Sequence, residues 1–183
     1  MSINNMKVVT IDTAGDLYLE MNSYDLLVSS RVMSLASPVF AAMLSPNFKE
    51  GQSDGQGIVK RIRLPEDDEE ALSVICYTLH HCTENIPQRL EASLLAKIAI
   101  LCDKYCCVNV FKPWAMIWLP ATTYIKSQGL EYLLLAAYLL DLPETFNLVS
   151  WAIILKQKDP FLQLPGTSNP TLMPSNVLGM LFS

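Results

Sequence analysis

Near the start of the chain two short, mostly apolar runs, Met6 to Ile11 (MKVVTI) and Asp16 to Met21 (DLYLEM), have the residue types of β-strands and predict two of them. Asp12-Thr13-Ala14-Gly15 between them are turn formers, which predicts that the two strands pair as a hairpin. After a turn at Asn22-Ser23, Leu26-Leu27-Val28 predicts a third strand, and Arg31 to Leu35 a short helical turn.

Ser37-Pro38 then marks a helix start. The serine oxygen can accept from a free N–H of the first turn, and proline is already set at a helical φ where its missing N–H costs nothing. The helix should reach about Leu44, with Val39, Phe40, Met43 and Leu44 on one face. Gly51 to Gly57 (GQSDGQG) predicts a loop, and Ile58 to Leu64 a strand with one basic side.

Glu66 to Glu70 is an acidic string of the kind that complements a helix dipole. It should open a helix from Ala71 to about His81, with Leu72, Ile75 and Leu79 inward. Leu90 to Leu101 predicts a further helix, and Asp103 to Leu119 its helical continuation, kinked or restarted at Lys112-Pro113. Leu130 to Leu140 and, restarted at Pro143, Glu144 to Lys156 predict two more. The stretch from Asp159 carries Pro160, Pro165, Pro170 and Pro174 and is expected to be a loose tail. Strands first, then a long helical run without repeats, is an α+β order: a small sheet capped by helices.

The 183 residues suffice for one domain with an appendage and a core that needs no metal or disulfide. Half of them are apolar and 17% are charged, so apolar surface can remain for a partner. A net charge of -5 without a Lys/Arg cluster argues against nucleic acid as partner. The longest apolar run, Tyr132 to Leu140, has nine residues, far short of the roughly 18 that suggest a membrane span. Five cysteines, an odd set, and an N-terminus lacking the basic and apolar segments of a signal peptide predict an intracellular, reducing setting.

Three constellations invite a chemical reading. Asp12-Thr-Ala-Gly15 spells the switch motif of a small GTPase, but no phosphate-cradling glycine loop precedes it, so a plain turn is the reading. Cys76, His80, His81 and Cys82, with Cys102, Cys106 and Cys107, resemble a metal cluster. A helix, however, brings only Cys76 and His80 to a common face, and paired C-x-x-C spacing is absent. Buried thiols and a half-exposed histidine pair are expected, with no cofactor and no metal. For catalysis, the adjacent His80 and His81 are poorly placed as separate acid and base, and no nucleophile motif occurs. Trp114, Trp118 and Trp151 are read as packing residues; an exposed one would be an interface candidate.

Asp16-Leu-Tyr-Leu-Glu20, the run Leu27 to Leu44 with its Ser30-x-Val-x-Ser-x-x-Ser-Pro-Val-Phe40 core, Phe48-Lys-Glu-Gly51, Ile62 to Asp68 and Leu101-Cys-Asp-Lys-Tyr105 together resemble the BTB/POZ family, in the variant common in filamentous fungi. The likeness spans residues 5–119. Ala136 to Phe146 is similar to the paired BACK-type helices that follow such domains, making 121–157 a helical extension and 158–183 the tail. The resemblance implies a non-catalytic scaffold whose partners are proteins. Many members dimerise, although the swapped dimer uses a helix and strand ahead of the first hairpin, where this sequence has Met1 to Asn5. Some members recruit a cullin scaffold so that a tethered target is ubiquitinated. In those, a hydrophobic-x-Glu motif follows the Ser-Pro helix, and Phe48-Lys49-Glu50 occupies that place here. The alternative implied use is a scaffold or transcription-associated module without cullin binding.

Overall fold

The computed structural model describes residues 7–45, 59–119 and 129–156. Within them the fold is α+β: a four-stranded mixed sheet and seven α-helices. The strands are β1 (Lys7–Thr10), β2 (Leu17–Glu20), β3 (Tyr24–Val28) and β4 (Lys60–Arg63). The helices are α1 (Ser30–Ala36), α2 (Pro38–Met43), α3 (Glu69–Leu79), α4 (Ala92–Lys104), α5 (Val108–Trp118), α6 (Leu130–Leu139) and α7 (Pro143–Lys156).

The expected hairpin of the first two strands is not formed. The sheet order is β1-β3-β2-β4, with β1 parallel to β3, β2 antiparallel to β3, and β4 parallel to β2. The hairpin is β2–β3, closed at Asn22-Ser23. The physical reason lies in β3, whose Leu26 and Val28 are fully buried and which therefore takes an inner position. Ile11 and Asp12 both donate their backbone N–H to the Leu27 carbonyl (3.0 and 3.1 Å), tying the end of β1 to β3. The chain then crosses the end of β3, and Asp16 donates to the Val28 carbonyl (3.1 Å) to start β2 on the other side. Gly15 is required at this crossing: a Cβ there would lie 2.9 Å from the Asp12 carbonyl oxygen, the Leu27 Cγ and the Val28 carbonyl oxygen.

One face of the sheet feeds the core through Leu17, Leu19, Leu26, Val28 and Ile62. Helix α1 begins one residue ahead of the expected turn, capped by Ser29. Helix α2 starts as predicted: the Ser37 hydroxyl oxygen accepts from the Phe40 N–H (3.1 Å), and Pro38 opens the first turn. Asp68 caps α3, with Glu69 and Glu70 in its first turn. Its side-chain oxygen accepts from the Ala71 N–H (3.0 Å) and its carboxylate also meets the Lys97 Nζ (2.8 Å). Burial, the largest influence, raises the Asp68 carboxyl, but these partners outweigh it and hold the group below its usual range.

A second expectation also fails. Helix does not run through Asp103 to a break at Pro113; α4 ends at Lys104, Cys106 takes a left-handed φ of 52°, and α5 restarts at Val108. Tyr105 is drawn into the core at this point, stacked on Phe40 with ring centroids 4.5 Å apart. Its carbonyl accepts from the Ser37 hydroxyl (2.6 Å). Pro113 then sits inside α5. The carbonyl that loses a donor belongs to Asn109, which is exposed, so water can replace the missing N–H.

Helix α6 packs on α4, and α7 on α6. Gly129, at φ 76°, begins α6 so close to α4 that a Cβ would stand 3.3 Å from that of Ala92. Leu133, Leu134, Leu135, Ala136, Val149, Ala152 and Ile153 join the same apolar core as the sheet. The Pro-rich stretch from Asp159 lies outside the described residues.

Candidate interaction surfaces

The outer face of the sheet is polar and is laid out by register. Tyr18 and Glu20 on β2, Asp25 on β3, and Arg61 and Arg63 on β4 alternate with the core residues and so share this face. The Arg61 guanidinium lies 4.4 Å from the centroid of Tyr18, 2.7 Å from Glu20 Oε1 and 3.4 Å from Asp25 Oδ2. These partners raise its pKa, the hydrogen bond to Glu20 first. Asp25 is 5% exposed, and its Oδ1 has no hydrogen-bond partner.

Where β3 passes into α1, two consecutive serines are each held by a titratable side chain. The Ser30 N–H and hydroxyl both donate to the Asp16 carboxylate (2.7 and 2.6 Å). Burial raises the Asp16 carboxyl most, but the Ser30 hydroxyl and backbone donors outweigh it and hold the group below its usual range. The Ser29 N–H donates to His80 Nε2 (3.0 Å), while His80 Nδ1 stands 2.8 Å from the Cys76 carbonyl oxygen. Asp12, the acid of the switch-like Asp12-Thr-Ala-Gly15 motif, makes a local turn: its Oδ1 accepts from the Ala14 N–H (2.9 Å).

His80 caps the end of α3 half-buried, and His81 is exposed at φ 59°. Cys76, Cys102 and Cys107 are buried, Cys82 is half-buried and Cys106 exposed; all five are free thiols. Burial pushes the Cys76 thiol up. Among the described residues no group of three or more His, Cys, Asp or Glu side chains is gathered to hold a metal ion, and no helix is long and apolar enough to cross a membrane.

The tryptophans divide. Trp118 is buried and donates its indole N–H to the Pro87 carbonyl (2.8 Å), with Trp114 tilted against it. Trp151 departs from the expected packing role: it is 63% exposed on α7. It belongs to a stripe at helical spacing, Leu148-Trp151-Leu155, with Ile154 exposed beside it and Leu155 at 81%. Val149, Ala152 and Ile153 occupy the opposite, buried side of the same helix. Met116 and Ile117 on α5 and Leu35 on α1 are also exposed.

Phe48, Lys49 and Glu50 lie outside the described residues, as does the stretch Gly51 to Gly57 expected to be a loop. The sheet cluster and the α7 stripe were not anticipated from the sequence. A signal for the second was present: residues 148–155 carry two apolar stripes on one helix, where one core-facing stripe is enough.

No family model matches the chain, and a search of the curated proteins finds no match.

Proposed function

We propose that the chain is a non-catalytic protein-interaction module of BTB type. The observation that carries the reading is the outward stripe Leu148-Trp151-Leu155 on α7, with Ile154 beside it. An exposed tryptophan flanked by leucines is costly to leave in water and is the residue type that anchors protein interfaces. The segment order adds support. The β2–β3 hairpin, α1, the Ser37-Pro38 start of α2, and β4 followed by the Asp68-capped α3 are built from the residues on which the resemblance to the BTB family rests.

Within that reading, a cullin-ligase adaptor is the more specific form and would use Phe48, Lys49 and Glu50. Phe48 would fill an apolar pocket and Glu50 make a directional polar contact, an anchor and its rim. A scaffold without cullin binding would leave these residues idle.

The test is a calorimetric titration of the full chain with a cullin N-terminal scaffold, run beside Phe48→Ala, Glu50→Lys and Trp151→Lys. Micromolar or tighter binding, about -8 kcal/mol or better, lost in the first two variants and kept in the third, supports the adaptor form. Loss with Trp151→Lys alone moves the cullin contact to α7. Absence of binding by the folded wild type removes the ligase reading and leaves a scaffold.

A further inference from the structure

The joint between α3 and α1 is held by an imidazole whose two nitrogens face backbone groups of opposite kind. The Cys76 carbonyl oxygen, 2.8 Å from Nδ1, can only accept, so Nδ1 must carry a proton. The Ser29 N–H, 3.0 Å from Nε2, can only donate, so Nε2 must be bare. The pair of contacts therefore fixes one tautomer of neutral His80 and is incompatible with the imidazolium, whose Nε2 proton would meet the Ser29 N–H head on.

We infer that His80 is a proton-operated latch on the start of α1: neutral, it ties Ser29 to the end of α3, and on protonation it releases Ser29 while Asp16 still holds Ser30. This goes beyond the proposed interaction role and does not depend on any partner.

The surroundings support the direction. Burial, the largest influence, lowers the ring's pKa from its ordinary value; the Cys76 carbonyl and Asp12 oppose this and His81 adds to it. The other titratable groups at the joint are Asp16 from the β1–β2 crossing, Arg31 in the first turn of α1, and Cys82, whose thiol lies 3.8 Å from the His80 carbonyl and 3.7 Å from that of Ile11. Ser29 is the N-cap of α1, its hydroxyl 3.4 Å from the Val32 N–H, so releasing it loosens that helix start first. Leu35, exposed on α1, moves with whatever that helix does.

For the sign, the fold favours the neutral ring. The latch is whole above the unfolded imidazole value of about 6.5 and opens as pH falls through the lower folded value. Each pKa unit of that lowering is roughly a tenfold preference for the neutral form.

The test is ring and amide NMR of the full chain, titrated from about pH 7.5 to about pH 5, across the range where imidazole changes charge. The expected result has three parts: His80 protonated at Nδ1, a His80 midpoint below that of an imidazole in the unfolded chain, and loss of hydrogen-exchange protection at Ser29 with the His80 midpoint while Ser30 stays protected. His81→Gln should leave this behaviour intact, and His80→Gln should remove it. Opposite tautomerism, a His80 midpoint at or above that of an imidazole in the unfolded chain, a Ser29 amide indifferent to His80 titration, or a ring that stays neutral until the whole chain unfolds would each overturn the latch. The wild-type readouts decide the matter even if His80→Gln fails to fold.

Discussion

One of the polar contacts that fasten the start of α3 to α4 is a buried carboxylate with two donors from consecutive residues. Asp67 has a side chain 2% exposed; Lys104 Nζ lies 2.5 Å from its Oδ1, and the Tyr105 hydroxyl donates to Oδ2. Lys104 is about half exposed, so water screens its share of the attraction and replaces Asp67 easily once that is gone. The Tyr105 bond is buried and has no such substitute. Tyr105→Phe keeps the stack on Phe40 and the Ser37 bond to the backbone carbonyl, and strips Asp67 of its dry donor. It should cost about 1.5–3 kcal/mol, the range for a hydrogen bond to a charged group. Asp67→Ala should cost about 3 kcal/mol, toward the low end for breaking a buried pair because Lys104 is accessible to water. Urea unfolding at neutral pH measures both, with an unchanged m-value as the check that only stability moved. The double variant should cost clearly less than the sum, because each single change already removes the shared bond. Burial first, and then the Asp67 hydrogen bond, raise the Tyr105 hydroxyl well above its ordinary value. The fold therefore favours the protonated phenol. Wild-type stability should be full below the unfolded value of about 10 and fall as pH rises beyond it, and Tyr105→Phe should flatten that loss. A Tyr105→Phe cost below about 0.5 kcal/mol, or strict additivity with Asp67→Ala, would refute the account.

Three further outcomes follow from single sites. Gly15→Ala should destabilise by about 1–3 kcal/mol in the same assay, since two of the three atoms that crowd the new methyl are backbone oxygens that cannot swing away. Asp16→Ala should cost about 1 kcal/mol by freeing the start of α1. In the wild type the Asp16 contribution should be present above the unfolded value near 3.9 and fade as pH falls through the lower folded value, a slope that the alanine variant lacks. Trp151→Lys should leave thermal stability within about 0.5 kcal/mol of the wild type and weaken binding of an apolar dye. A loss above about 1.5 kcal/mol would mean that the indole belongs to the core.

The elements themselves are largely legible in the sequence, because local chemistry dictates them. Ser37-Pro38 starts a helix wherever it stands, and the acidic string before Ala71 caps and opens another. Strand pairing is not legible in the same way. The Asp12 to Gly15 turn fits a hairpin, but the neighbour of β1 is decided by the burial of Leu26 and Val28, a tertiary fact with no local signature. The break after Lys104 escapes a sequence reading for a related reason. Proline is a visible helix breaker, whereas the pull of Asp67, Ser37 and Phe40 on Tyr105 comes from residues 38 to 68 positions away. In the sequence His80 looks like half of a metal pair. Its partners are two backbone groups, and nothing in residue spacing reveals a backbone acceptor or donor.

On the proposed interaction role, the polar and apolar halves of the described fold would divide the tasks of specifying and binding. Asp25, Ser37 and Asp67 are buried polar side chains that reach across elements, and all belong to the sheet and the helix starts beside it. The two buried hydroxyls farther along, those of Thr78 and Ser150, bond back to the Val74 and Phe146 carbonyls within their own helices. Among the described residues, α7 meets the core through apolar side chains such as Val149, Ala152 and Ile153, a kind of contact that fixes geometry less sharply and tolerates exchange of one apolar neighbour for another. A helix held in this way, with its second apolar stripe turned outward, can accept a partner without breaking a polar network. For the proposed role that favours α7 over the outer sheet face: covering the sheet would bury the Arg61 cluster, where Asp25 Oδ1 already lacks a donor, and a partner there would have to supply one. Opposed substitutions separate the two surfaces. If partner binding survives Trp151→Lys and is lost on Arg61→Ala, the sheet is the interface and this reasoning fails.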